Sequence, residues 1–62
     1  MPIVKIGLFA GRDRETKKKI AQEITACLVK NLQIPPNAVI IIFEDIEKYN
    51  FAQGGQTAEE SS

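Results

Sequence analysis

A proline directly after the initiator methionine is the first residue with distinctive chemistry in this 62-residue chain. Pro2 heads the apolar run "MPIVKIGLF". There its missing N–H costs little, because the first residue of an edge strand tolerates proline. If Met1 is removed, as a small second residue permits, Pro2 becomes a free secondary amine on rigid backbone. A terminal amine has a reference pKa of about 8, and proline is intrinsically somewhat more basic. An apolar pocket or a neighbouring cation lowers such a value towards neutrality, where a general base works best. The chain contains no histidine, so the usual neutral-pH acid/base is missing. So is the partner that Ser–His or Cys–His catalysis requires. Cys27, the single cysteine, falls in an apolar helical stripe and reads as a small core residue. Acid/base work is left to carboxylates, lysines, Tyr49 or the terminal amine.

The elements that must hold Pro2 follow from periodicity. Ile3–Phe9, rich in Val, Ile and Phe, reads as a strand with both faces covered. "AGRD" breaks it, with Gly11 free to turn and Asp13 a good N-cap. From Arg14 to about Leu32, Ile20, Ile24, Cys27, Leu28 and Leu32 recur at three- and four-residue intervals, the pattern of an amphipathic helix. Glu15 and Lys19 are spaced for a helical ion pair. Pro35 and Pro36 end the helix. "AVIIIF" at 38–43 reads as a buried strand with Glu44 and Asp45 as gatekeepers at its exit. Strand, long helix and strand make a right-handed βαβ unit with parallel strands. Gly54-Gly55 suggests a tight turn in a short C-terminal hairpin, with a polar tail over Thr57–Ser62. The expected fold is therefore α/β, one domain over residues 1–62.

Such a chain cannot stabilise itself easily. At this length only about 60% of the unfolded surface is buried, and a core supplies rarely more than ~3–5 kcal/mol without disulfides, metal or association. One cysteine and no histidine exclude an internal disulfide and make a structural zinc site improbable. Two strands under one helix also leave edges and a sheet face uncovered. An oligomer is expected. Eight basic and eight acidic residues cancel, which removes the electrostatic footprint of a nucleic-acid binder and makes "KKK" at 17–19 a solvated helix face. No run approaches the ~18 apolar residues of a membrane span, and no signal peptide is evident. A cytoplasmic protein is expected.

The order of Pro2, a strand, Gly11-Arg12, a helix, a proline turn, an apolar strand, then Phe51 and Gly54-Gly55 resembles the 4-oxalocrotonate tautomerase family over nearly the whole chain. The resemblance implies that Pro2 is the catalytic base exposed by methionine removal. It implies that Arg12 binds a substrate carboxylate and that Phe51 walls an apolar pocket. It also implies a homo-hexamer, a trimer of dimers with sites shared between subunits, acting on a small carboxylate without cofactor or metal. One position departs from the pattern. Where the best-studied members carry an arginine that polarises the substrate carbonyl, this chain has Ile40.

The residues have plainer readings too. Arg12 could be a surface cation at a helix start, although the macrodipole does not favour one there. Phe51 could be packing. Arg14 reads as solvated, and Tyr49, Asn50 and Gln53 are candidate oxyanion donors or loop surface. The leading expectation is an isomerase moving a proton in an unsaturated 2-oxo or 2-hydroxy acid. The alternatives are a hydratase or dehalogenase, a subunit of a hetero-oligomer whose partner supplies the arginine, or a non-catalytic oligomeric module.

Overall fold

Strand β1 spans Ile3–Phe9, helix α1 Arg14–Leu32 and strand β2 Ile40–Ile46, followed by the two-residue strands β3 (Ala52–Gln53) and β4 (Gln56–Thr57). The computed structural model describes residues 1–60. β1 and β2 pair in parallel, Ile3 opposite Ile40 through Phe9 opposite Ile46. Helix and strands form the expected βαβ unit. β3 and β4 pair antiparallel around Gly54 and Gly55, whose φ values of 63° and 84° are the left-handed pair that a type I′ hairpin turn requires. Lys48–Asn50 forms a single 3₁₀ turn before this hairpin. The polar stretch from Thr57 begins inside β4, and a tight turn follows in which the Thr57 N–H donates to Glu60 Oε2 at 2.8 Å. Ser61 and Ser62, the end of the expected tail, lie outside the described residues.

The helix begins where Asp13 caps it. Its carboxylate accepts from the Thr16 N–H at 2.8 Å. Hydrogen bonding from the Thr16 side chain, then from its backbone N–H, holds the Asp13 carboxyl below its ordinary value. At the other end Gln33 adopts left-handed backbone (φ 54°, ψ 53°) and donates its N–H to the Val29 carbonyl, stopping α1 before Pro35.

Four expectations need correction, three of them local. β2 runs Ile40–Ile46 rather than 38–43, because Pro36–Ala38 forms a 3₁₀ turn and pairing with β1 carries the strand through Glu44 and Asp45. These acids sit within the strand, not beyond it. Cys27 is exposed, as is Leu32 at 53%. Consecutive helical residues stand about 100° apart, so with Ile20, Ile24 and Leu28 turned inwards, Cys27 falls on the flank. Finally, the ion pair formed among the described residues joins Lys17 to Asp45 at 2.6 Å rather than Glu15 to Lys19. It ties the first turns of α1 to β2. Being partly exposed, it contributes at most about 1 kcal/mol.

Side chains alternate across β1 and β2, which gives the sheet two unlike faces. Val4, Ile6, Leu8, Ile41 and Phe43 are half-buried on the helix side. On the opposite side Ile3, Ile42 and Phe9 are exposed at 57%, 44% and 40%. The sequence expectation of two covered faces therefore fails for the chain alone, because one helix covers one face. No described hydrophobic side chain is fully buried. The molecule is a slab of 44 × 24 × 13 Å with a radius of gyration of 14.9 Å, against about 10.6 Å for a compact domain of this length. Its accessible surface is 5056 Å², where a compact monomer of this mass presents about 4,000 Å².

Candidate functional site

Pro2 sits at the head of the sheet. The Ile40 N–H donates to the Pro2 carbonyl at 3.0 Å, extending the ladder by one bond and fixing the residue beside the start of β2. Pro2 is half-buried, whereas Met1 before it is exposed at 87%. The proline nitrogen offers no donor to the ladder, so anchoring falls to its carbonyl. Ile40 shares the open face with Ile3 and Ile42, since paired residues of parallel strands lie on one side.

Phe51 and Arg12 lie at the other end. Phe51 packs edge-to-face on Phe9, with ring centroids 5.6 Å apart and planes at 89°. The hairpin brings it there, and the Ala58 N–H bond to the Phe51 carbonyl at 2.9 Å ties the hairpin's open end. A groove of about 420 Å³ is lined by Gly7, Leu8, Phe9, Ile46, Phe51 and Gln53. Arg12 stands three residues beyond Phe9, in the turn between β1 and α1, exposed. Gly11 before it has φ 116°, a conformation that side chains rarely adopt, and this glycine lets the chain leave β1 and present the arginine. The Ala10 N–H donates to the Ile46 carbonyl at 2.9 Å, holding the root of that turn.

The chain therefore brings Arg12 and Phe51 to one end of β1 and leaves Pro2 at the other. Seven strand residues separate the ends, roughly 23 Å at the usual rise per residue. No substrate of a few carbons spans that distance. Within one chain, Ile3 and Ile40 are the apolar residues that the ladder sets beside Pro2. Leu8 and Phe51 lie at the far end.

Of the candidate oxyanion donors, Gln53 lines the Phe51 groove. Tyr49, exposed at 61%, borders a second groove of about 300 Å³ with Ala10, Ile46 and Lys48. Asn50 closes the 3₁₀ turn through its N–H to the Glu47 carbonyl at 2.8 Å. Arg14 is exposed in the first turn of α1. Among the described residues no three acidic, cysteine or histidine side chains gather as a metal ion would need. No described helix is long and apolar enough to cross a membrane. Sequence reasoning missed Phe9 and Ile46 as walls of the Phe51 groove. Their place follows from the β1–β2 register, which periodicity alone does not reveal.

Comparison with known proteins gives consistent matches. The family model described as "Tautomerase enzyme" matches residues 2–60. A probable tautomerase of Streptococcus pneumoniae is 46% identical over 55 residues, covering 87% of this chain and 92% of that protein. Probable tautomerase RSp1151 of Ralstonia nicotianae is 39% identical over 56 residues, covering 90% and 86%. Among solved structures, a 4-oxalocrotonate tautomerase isozyme from Methylibium petroleiphilum superposes with a TM-score of 0.86 at 33% identity, covering 94% of this chain and 91% of that one.

Proposed function

The chain belongs to the tautomerase family, and from that premise we propose that it is an isomerase with Pro2 as general acid/base. Its substrate is a small unsaturated 2-oxo or 2-hydroxy acid. The observation that carries this reading is Pro2 itself. It is pinned by its carbonyl to Ile40, so that removal of Met1 leaves a rigid secondary amine at the rim of an apolar sheet face.

The chemistry needs little else. The amine takes a proton from the dienol oxygen or from carbon. Electrons shift along the conjugated system, and the proton returns at a second carbon. Atoms and electrons balance within the substrate, so no cofactor is called for. A bidentate contact from Arg12 to the carboxylate orients the substrate, and Phe51 excludes water from one side.

These groups lie too far apart in one chain, so the site is composite, with Pro2 from one copy and Arg12 and Phe51 from another. The flat shape and the lack of a closed core support self-association, in our reading as a homo-hexamer built as a trimer of dimers, in the cytoplasm. Ile40 favours one variation specifically. A hetero-oligomer would let a second kind of subunit supply the arginine that this chain lacks.

Arg12 provides the test of substrate class. Arg12→Ala should raise KM for carboxylate-bearing enols by about 10–100-fold, as loss of a charged hydrogen bond implies, with kcat little changed because the contact exists in ground and transition states alike. Ester analogues should be nearly unaffected. Equal losses for acids and esters would make Arg12 structural and remove the carboxylate from the proposal.

A further inference from the structure

Ile40 leaves the proposed site without the arginine expected there, and Tyr49, Asn50 and Gln53 are the candidate donors in its place. Their positions separate them. Tyr49 borders the groove that Ala10, Glu47 and Lys48 also line, and Asn50 lines neither groove. Gln53 lines the groove of Phe51, and of the residues that do so it is the one with a polar side chain. The backbone accounts for this. Phe51 is already extended, at φ -123° and ψ 128°, so the alternation of a strand runs from it into β3. Residues 51 and 53 then point to the same side, about 7 Å apart along the chain. The Ala58 N–H on the Phe51 carbonyl and the pairing of Gln53 with Gln56 hold both in register. Gly54 and Gly55 follow, with no side chain to screen the Gln53 amide. Among the described residues that carboxamide has no hydrogen-bond partner.

We propose that Gln53 is the oxyanion donor of the site, its N–H groups hydrogen-bonding the substrate's carbonyl or enolate oxygen where the missing arginine would. The assignment rests on the isomerase reading above and names a further residue of the same site. Whatever sets Phe51 of one copy beside Pro2 of another brings Gln53 with it, since the two share one side of one extended segment. When the Pro2 amine removes a proton, from the hydroxyl or from carbon, the oxygen is left as a dienolate. When the proton returns at the second carbon, that charge is gone. A hydrogen bond that strengthens while the charge is present lowers the barrier more than it tightens binding. The apolar lining of the groove reinforces it, because a donor aimed at developing charge counts for more where water is excluded. A carboxamide also differs from a guanidinium in carrying no charge. It stabilises an oxyanion without attracting a second carboxylate, which fits a monoacid substrate.

Kinetics on a 2-hydroxydienoic monoacid test it, with Pro2→Ala measured alongside and helix content followed by circular dichroism. Gln53→Leu keeps the bulk of the side chain and removes the donor. It should lower kcat about 10²-fold, the lower end of what loss of one oxyanion donor costs, with KM within a few-fold of wild type. Gln53→Glu puts a carboxylate in the donor's place and should be slower still near neutral pH. Acid returns an O–H donor to that side chain, so its rate relative to wild type should climb as the pH falls towards the carboxyl range, about 4–5. In an Ile40→Arg background Gln53→Leu should cost only a few-fold, because both groups serve one oxygen and their losses do not add. A Gln53→Leu chain as fast as wild type while Pro2→Ala is slow, a Gln53→Glu chain whose relative rate ignores pH, or an equal Gln53→Leu loss with and without Ile40→Arg would overturn the assignment and leave the proline base standing. A wild-type chain with no Pro2-dependent turnover of any enol acid would overturn the isomerase reading and the donor together.

Discussion

Pro2→Ala is expected to lower kcat by about 10²-fold, the lower end of what a positioned acid/base contributes, because alanine keeps an amine but not proline's basicity or rigidity. Assembly and helix content should not change. The Ile40 bond goes to the carbonyl of residue 2, which alanine retains, and half-burial at the sheet's end leaves no deep cavity. A chain that retains Met1 has an amide at Pro2 instead of an amine and should fall further, towards 10⁴-fold. Intact mass distinguishes the two forms before the assay. An undiminished rate in Pro2→Ala would end the proline-base mechanism.

Ile40→Arg should raise kcat on a dicarboxylate substrate by about 10²–10³, the amount that removal of one preorganised oxyanion donor costs elsewhere. The place of Ile40 as the first residue of β2 makes this change tolerable. It stands in a row with Ile3, away from α1, so an arginine would not place an unpaired charge under the helix. A half-buried site at the strand's start also lets a long side chain reach past the sheet's end. Isoleucine offers no hydrogen bond, and the unmodified chain should be a weak catalyst on dicarboxylates and a better one on smaller monoacids. A stable Ile40→Arg assembly without gain on any dicarboxylate would mean that the absent arginine does not limit the chemistry.

Where local chemistry decides, the sequence was a good guide. Asp13 fixes the start of α1. The run rich in Val, Ile and Phe gives β1 its bounds, and Gly54-Gly55 gives the hairpin its turn. Where pairing decides, it was a poorer one. β2 reaches Ile46 because β1 reaches Phe9, although Glu44 and Asp45 look like the end of an apolar run. Gln33 ends the helix in left-handed backbone without the glycine that usually announces such a turn. Cys27 was drawn into the stripe by its spacing, and only the helix's orientation on the sheet turns it outwards. The site divides in the same way. Pro2, Arg12 and Phe51 are proposed from residue type and resemblance, and the structure adds only where each one lies. That one chain holds them at opposite ends of β1 is a matter of strand length, and under the proposed function it calls for more than one copy.

Mixing two defective variants tests that requirement most directly. Pro2→Ala and Arg12→Ala chains, each impaired alone, would be dissociated, combined and reassembled. If a site takes Pro2 from one copy and Arg12 from another, random mixing leaves about one site in four with both residues intact. Activity at low concentrations of a carboxylate substrate should then rise well above the mean of the separate variants. Assemblies shown by native mass spectrometry to contain both chains, yet no more active than that mean, would contradict the composite site.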